Sequence, residues 1–168
     1  MPLRRARVPR DTAGDREIRM PGTTMRQINA KAARFRLRVG RSTLHRYGVF
    51  TLENIPSGRR VIEYTGMRMD PLQAAKIEPP QDNYIAGVSS RWFLDGRTSG
   101  SGAQFINHSC RPNLMWRCVR SRLYFYSRRK IRAGEELTVK YRYHVKVRRV
   151  PCHCGARGCR GTLRYIIS

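Results

Sequence analysis

Residues 105–113 read FINHSCRPN, a polar turn that stands directly before the apolar run 114–119. The turn brings an amide, an imidazole and a thiol close together in sequence, at Asn107, His108 and Cys110. Side chains of these types form hydrogen bonds or coordinate a metal ion. We therefore expect this turn to carry a binding site in which Cys110 is available as a metal ligand.

A second group of thiols lies near the C-terminus, where Cys152, Cys154 and Cys159 form the pattern C-x-C-x4-C. Thiolates suit tetrahedral Zn²⁺, with Zn–S distances of about 2.3 Å. Gly155 and Gly158 allow the backbone to turn tightly around an ion. The whole chain has five cysteines, an odd count that favours a metal site in a reducing compartment over a disulfide framework.

Three thiolates leave one coordination position of Zn²⁺ open, and several groups are candidates for it. Cys110 is the best donor because it lies in a polar turn, whereas Cys118 lies in an apolar run that predicts a buried free thiol. His153 lies between two ligands and is expected to point away, and a water molecule is the last alternative. A zinc ion that joins residue 110 to residues 152–159 would fold the C-terminal segment over the turn.

The remaining sequence favours a mainly β fold. Short apolar runs alternate with turn signals such as Pro56-Ser57-Gly58, and few windows have a helical period. Short helices are predicted only at 23–34 and 67–75. The predicted strands are 35–39, 49–52, 61–64, 83–88, 92–94, 114–119, 123–126 and 137–143.

Length and charge restrict the class of protein. The chain has 168 residues, of which 40% are hydrophobic, so we expect a single core. Lys and Arg number 35 against 11 Asp and Glu, which gives a net charge of +24 and favours contact with DNA or another polyanion. No base-reading motif, membrane-length apolar run or secretory signal is evident. We expect a monomer without membrane association.

Four segments, in this order, resemble the SET-domain family of protein lysine methyltransferases: 46–50 (RYGVF), 105–113, 134–141 (GEELTVKY) and the cysteine segment 152–163. The resemblance covers residues 35–165 and implies small curved β-sheets with a pseudoknot. It divides the chain into a basic, partly disordered tail at 1–34, a SET domain at 35–147 and a zinc-binding post-SET segment at 148–168. No cysteine precedes Cys110, so a pre-SET zinc cluster is absent from the sequence.

The resemblance also implies an activity, the transfer of a methyl group from S-adenosylmethionine to a lysine amine in a protein. Tyr141 matches the catalytic tyrosine of the family, and Tyr84 matches a tyrosine that lines the lysine channel. Further channel residues are expected at Trp116, Val139 and Tyr143.

Binding of S-adenosylmethionine is expected at the two glycine- and asparagine-containing segments. Gly48 permits close approach of the backbone to a ligand, and a basic side chain pairs with a carboxylate. The residues expected to contact the cofactor are Arg46, Tyr47, Gly48, Phe105, Asn107, His108, Tyr141 and Leu163.

Two positions depart from the family pattern. Gln104 replaces the usual arginine, and Lys140 replaces a frequent acidic residue beside Tyr141. Together with the net charge, Lys140 disfavours a strongly basic, histone-like substrate tail, although a histone or a DNA-associated protein remains among the expected substrates.

Two alternatives compete with the enzyme. One is an inactive nucleic-acid-associated module that keeps the SET scaffold, and the other is a small protein in which zinc only stabilises the fold. We expect the protein in the cytoplasm, associated with the nucleoid in a bacterium, or in the nucleus of a eukaryote.

Overall fold

A computed structural model describes residues 26–77, 84–141 and 150–163 of the chain. In these ranges the protein is a set of short strands with one helix, α1 (Pro71–Ala75), and one 3₁₀ turn, Ala103–Phe105. None of the described helices is long and apolar enough to cross a membrane. The strands are β1 (Leu37–Arg41), β2 (Tyr47–Thr51), β3 (Arg60–Tyr64), β4 (Met67–Met69), β5 (Ile85–Gly87), β6 (Phe93–Asp95), β7 (Asn107–His108), β8 (Leu114–Val119), β9 (Arg122–Ser127), β10 (Glu136–Val139), β11 (Val150–Pro151) and β12 (Thr162–Leu163).

The strands form four small sheets, which confirms the mainly β prediction. Their strand orders are β1-β2-β10-β7, β3-β9-β8, β4-β6-β5 and β11-β12. The four-stranded sheet and the β3-β9-β8 sheet share one apolar core, to which β2 contributes Val49, β3 contributes Ile62, β9 contributes Phe125 and β10 contributes Leu137. The central strands bury consecutive residues, such as Val61 and Ile62 of β3, because neighbouring elements cover both of their faces.

The chain crosses itself where β10 meets β7. After β7 it forms the β8–β9 hairpin in the other sheet and then returns, so that β10 pairs with β2 in antiparallel and with β7 in parallel orientation. The Ser109 N–H donates to the Val139 carbonyl at 3.0 Å, and the Asn113 amide donates to the Glu136 carbonyl at 2.8 Å. This crossing is the arrangement that the family resemblance implied.

The helix predicted over 67–75 is wrong in its first half. Residues 67–69 form β4, which pairs with β6, and the helix begins only at Pro71. Asp70 caps it by accepting a hydrogen bond from the Gln73 N–H, and the Gln73 side chain accepts one from the Asp70 N–H. This reciprocal capping box, followed by a proline at the first helical position, fixes where the helix starts.

The N-terminal segment also differs from expectation. Residues 26–34, which the sequence assigns to the tail and partly to a helix, form a turn and a β-bridge between Ala33 and Ile62. The Arg34 N–H donates to the Val61 carbonyl at 2.8 Å, and Ile28 packs against the core. Backbone partners on β3 thus override the weak helical pattern, and the packed region begins before residue 35.

Candidate active site and metal centre

Four cysteine sulfurs gather where the C-terminal segment meets the polar turn. The Cys110 sulfur lies 3.9 Å from that of Cys152 and 3.8 Å from that of Cys159, and the Cys110 N–H points at the Cys154 sulfur at 3.4 Å. A tetrahedron with Zn–S distances of about 2.3 Å has edges of about 3.8 Å. The sulfur separations therefore fit a single zinc ion.

Hydrogen bonding favours the thiolate form of Cys154 in this cluster. Burial opposes its ionisation, but the backbone N–H groups of Cys110 and Ala156 and the neighbouring thiols outweigh it and lower its pKa to about 6. In the absence of a metal, burial raises the pKa of Cys152 to about 12. Because metal ligands must be deprotonated, Cys154 supplies a thiolate outright and Cys152 would lose its proton on binding zinc.

Two of the alternative ligands lie elsewhere. Cys118 is exposed on β8, so the prediction of a buried free thiol is wrong, because the far end of that strand projects from the core. His153 is exposed and does not belong to the group of potential ligands. Instead that group contains His108, whose ring nitrogen lies within 4.8 Å of the ligand atoms of Cys110, Cys152 and Cys154.

His108 connects the cysteine cluster to Tyr141. Its Nδ1 accepts a hydrogen bond from the Tyr141 N–H at 3.0 Å, and its Nε2 lies 3.5 Å from the Cys110 sulfur. Burial, and then the charge of Lys140, lower the pKa of His108 to about 4. A neutral ring that accepts at Nδ1 carries its proton on Nε2, facing the sulfur. The His108 ring therefore contacts both the cysteine cluster and the backbone of Tyr141.

Tyr141 contacts the segment 105–108 through both its hydroxyl and its ring. That hydroxyl donates to the Ile106 carbonyl at 2.8 Å, and the Tyr141 and His108 rings meet edge to face at 5.4 Å between centroids. The Phe105 ring contacts Tyr84 at 5.7 Å and Tyr47 at 6.5 Å. The structure thus brings together predicted residues from three separate segments of the sequence.

Tyr64 is a member of this group that the sequence interpretation missed. Its hydroxyl donates to the Tyr84 carbonyl, and burial, with Tyr141, Asp95 and Tyr84 nearby, raises its pKa well above the ordinary value. The phenol therefore stays neutral and acts as a hydrogen-bond donor. The available signal was the segment EYTG at 63–66, a tyrosine at the end of a strand directly before a turn.

A polar cluster lies on the other side of Asn107. Its amide nitrogen donates to the Glu136 carboxylate at 2.8 Å and to the Tyr47 carbonyl at 2.9 Å, while the Ser42 hydroxyl donates to the same carboxylate at 2.8 Å. A Cβ at Gly48 would lie 2.2 Å from that carboxylate. Glu136, the first residue of β10, is thus the centre of this cluster.

The other predicted residues lie around these groups. Arg46 adopts a left-handed backbone with φ of 34°, directly before Tyr47 in the turn that precedes β2. Leu163 lies on β12 beside Val150, Val139 is buried in the core, and Trp116 packs against that core. Tyr143 lies outside the described residues.

Gln104, the first departure from the family pattern, is buried. Its side-chain oxygen accepts a hydrogen bond from the Gly102 N–H at 2.8 Å, and its Nε2 has no partner within the described part of the chain. The nearby carboxylate of Asp95 is also buried, and it forms an ion pair with Arg97 at 2.7 Å.

Comparison with known proteins identifies this architecture. A family model described as SET domain matches residues 46–142. The chain belongs to the SET-domain family. It is 33% identical over 137 residues to the histone-lysine N-methyltransferase SETD1 of Drosophila melanogaster, and 34% identical over 163 residues to an H3 lysine-4 specific histone-lysine N-methyltransferase of Schizosaccharomyces pombe. These alignments cover 76% and 90% of this SET protein but only 8% and 18% of the two relatives.

Solved structures of SET proteins agree with this assignment. The methyltransferase domain of human SETMAR superposes with a TM-score of 0.68 at 28% identity, covering 83% of this chain and 61% of that one. KRYPTONITE, in complex with methylated DNA and SAH, superposes with a TM-score of 0.67 at 34% identity, covering 79% of this chain and 30% of that one.

Proposed function

We propose that the protein transfers a methyl group from S-adenosylmethionine to the side-chain amine of a lysine in a protein substrate. The observation that carries this proposal is the hydrogen bond from the Tyr141 hydroxyl to the Ile106 carbonyl. It fixes Tyr141 against His108 and beside Phe105, whose ring contacts that of Tyr84. The relatives are named histone-lysine N-methyltransferases, which supports the same activity.

The polar cluster fits the cofactor. The Asn107 side-chain oxygen makes no hydrogen bond to the described residues, so it is available, with the nearby Glu136 carboxylate, to accept from an ammonium group. The absence of a side chain at Gly48 makes room for the Glu136 carboxylate, and Arg46 supplies a positive charge for a carboxylate. The bound SAH of KRYPTONITE supports this choice of cofactor. We assign cofactor contacts to Arg46, Tyr47, Gly48, Phe105, Asn107, His108, Tyr141 and Leu163.

When bound, S-adenosylmethionine supplies a methyl group on a positively charged sulfur. The lysine amine must be neutral to attack, so its proton leaves to water before the new N–C bond forms and the S–C bond breaks. The positive charge of the protein disfavours the protonated form of the substrate lysine and thereby aids the loss of its proton. The Tyr141 hydroxyl would lie beside the transferred methyl group, and the rings of His108, Phe105 and Tyr84 would help to exclude water. We assign the lysine channel to Tyr84, Trp116, Val139 and Tyr143.

Cys110, Cys152, Cys154 and Cys159 would hold Zn²⁺, which supplies a structural crosslink rather than chemistry at the methyl group. The ion would fasten the post-SET segment, 148–168, across the turn that carries Asn107 and His108. We propose that this closure completes the cofactor site.

The expected substrate is a protein that is associated with DNA. A histone or another DNA-associated protein agrees with the relatives, one of which is named for lysine 4 of H3, and the net charge of +24 favours contact with the DNA that such proteins bind. The protein would then act in the nucleus of a eukaryote or at the nucleoid of a bacterium, and we expect it to act as a monomer.

The test is methyl transfer from labelled S-adenosylmethionine to proteins of a cell lysate, with mapping of the modified lysines. Tyr141→Phe should lower kcat by about 10²-fold or more, as loss of an oriented catalytic group does, while cofactor affinity changes little. A variant that binds cofactor and transfers methyl groups at the original rate would refute the catalytic role of Tyr141. DNA binding without cofactor affinity would instead favour the inactive module.

A further inference from the structure

Arginine and tyrosine alternate with the core residues on the β3-β9-β8 sheet. Phe125 belongs to the core, whereas its neighbours Tyr124 and Tyr126 do not and lie on the opposite face. By cross-strand register, Arg60 of β3 lies beside Tyr126, and Arg117 of β8 lies beside Tyr124. We call the outward surface formed by Arg60, Arg117, Arg122, Tyr124 and Tyr126 the arginine–tyrosine face.

The guanidinium groups of this face lie over its rings at cation–π distances. Arg60 and Arg122 lie 5.0 and 5.6 Å from the centre of the Tyr124 ring, and Arg117 lies 5.3 Å from the centre of Tyr126. Tyr124 is only 8% exposed although it does not belong to the core cluster. A cation–π contact positions a guanidinium through its face and leaves its N–H groups to donate to other acceptors.

A basic cavity extends the face at Arg60. It measures about 540 Å³ and is lined by Arg34, Phe35, Gly58, Arg59 and Arg60. No carboxylate lines it, in contrast to a cavity of about 440 Å³ in which Glu135 pairs with Arg129. The three arginines of the first cavity therefore present positive charge that the described residues leave uncompensated.

Among the described residues, one carboxylate, that of Glu63, lies on this face beside Tyr124. Glu63 binds Arg122 through both oxygens, at 2.7 and 2.6 Å, whereas Arg60 and Arg117 have no carboxylate partner among the described residues. The guanidinium carbons of Arg60 and Arg122 lie 5.0 and 5.6 Å from the centre of the same Tyr124 ring, so the two charges are no more than about 11 Å apart. Arg117, over the Tyr126 ring, adds a third positive charge to this group.

We propose that the arginine–tyrosine face and the adjoining arginine cavity bind the phosphate backbone of double-stranded DNA without regard to base sequence. Planar, pre-oriented guanidiniums match phosphate oxygens, and the net charge has the required sign. Tyr64, on the core side of β3, belongs to the candidate active site, so bound DNA leaves that site open to substrate. The inference gives a surface to the DNA contact that the proposed function includes.

The experiment measures binding of a fluorescent 20-base-pair duplex to the full chain by anisotropy, without S-adenosylmethionine, over a range of salt concentrations. The test variant is Arg59→Gln/Arg60→Gln/Arg117→Gln. The matched control, Arg128→Gln/Lys130→Gln/Arg132→Gln, removes the same charge from exposed positions outside the face. Each lost phosphate contact lowers the slope of log K against log salt by about 0.9.

We expect the test variant to lose about 2 to 3 units of that slope and the control less than about 1. Arg60→Lys/Arg117→Lys keeps the positive charges but removes the planar guanidinium groups. Its loss of slope should lie between those of the test and control variants. Equal weakening by the test and control variants, or no measurable binding by the folded protein, would overturn the proposal. Thermal unfolding verifies that each variant folds, and methylation of a free peptide is measured separately, so failure of DNA binding is distinguishable from failure of catalysis.

Discussion

Gly48 stands at a position where a larger residue would disturb the proposed cofactor site. A Cβ there would lie 2.2 Å from the carboxylate oxygen of Glu136 and 3.1 Å from the Cβ of Ser42. The carboxylate is not free to swing aside, because Ser42 and Asn107 both donate hydrogen bonds to it. The absence of a side chain at Gly48 is therefore what allows the polar cluster to form.

We expect Gly48→Ala to lower the free energy of unfolding by about 1–3 kcal/mol, as overpacking does. S-adenosylmethionine should also bind more weakly, since the new methyl group displaces Glu136 from Asn107. Thermal unfolding and calorimetric titration with the cofactor measure the two effects. In a background of Glu136→Ala the clash is removed, so Gly48→Ala should cost much less stability there. An equal cost in both backgrounds would contradict this account.

Single residues also show what sequence patterns reveal and what they miss. Asn107, His108 and Cys110 were predictable because their order forms a long and specific motif. Tyr64 and Glu136 were not, because each gains its place from partners far away in sequence: the Tyr84 carbonyl for the first, and the Ser42 and Asn107 side chains for the second. Tertiary hydrogen bonds of this kind leave no local period.

At the scale of elements, the cysteine segment joins the crossing formed by β7 and β10. Cys110 directly follows the Ser109 N–H that binds β10, and the other three thiols come from the segment between β11 and β12. The strand partner of β12 is β11, and the sulfur cluster connects this segment to the turn that carries Cys110. Zinc would therefore hold this segment, while the central sheets rely on the apolar core.

We expect the purified protein to contain about one zinc ion per chain, and Cys154→Ser to lose most of it. Cys118→Ser is the matched control and should keep the metal, because Cys118 is exposed on β8 and outside the cluster. Atomic absorption measures zinc, and hydrogen exchange measures where protection is lost after chelation. Loss confined to 107–110 and 150–163 is expected. Unfolding of β3 and β9 as well would show that zinc stabilises the entire fold.

Among the elements, long alternating runs were predictable and short ones were not. The strands predicted at 114–119 and 123–126 are present as β8 and β9, and Arg122 belongs to β9. Arg120 and Ser121 connect them, and both adopt the positive φ that a tight hairpin turn requires. The segment 67–75 was read as one helix because three residues of β4 are too few to display a strand period. Its strand character comes from pairing with β6.

At the scale of the whole molecule, electrostatics act against compactness. The net charge of +24 makes the chain repel itself, and acidification increases that charge. Burial alone would raise the pKa of Asp95, but hydrogen bonds from the Arg97 guanidinium and N–H outweigh it and lower the pKa. A carboxyl group with a lowered pKa stabilises the fold above its ordinary value of about 4, and that stabilisation is lost as the pH falls through the folded-state value.

We expect Asp95→Asn to lower the free energy of unfolding at pH 7 by about 1–2 kcal/mol, discounted because the Arg97 side chain is 42% exposed. The variant should also lose less additional stability than the wild type between about pH 5 and pH 3. Urea unfolding over this range measures both effects. Glu53→Gln, which breaks the exposed pair with Arg36, should change stability by about 0.5 kcal/mol or less. Parallel pH profiles for Asp95→Asn and the wild type would exclude Asp95 as a source of acid sensitivity.

The insertion of β10 between β2 and β7 has a consequence for how the molecule is made. A growing chain that has not yet reached residue 136 leaves two strand edges unpaired, and open edges invite association with other chains. Pairing across such long stretches of sequence is also slow. Newly synthesised protein should therefore depend on chaperones or a low synthesis rate, and catalytic competence should arise only after β10 has been made and inserted.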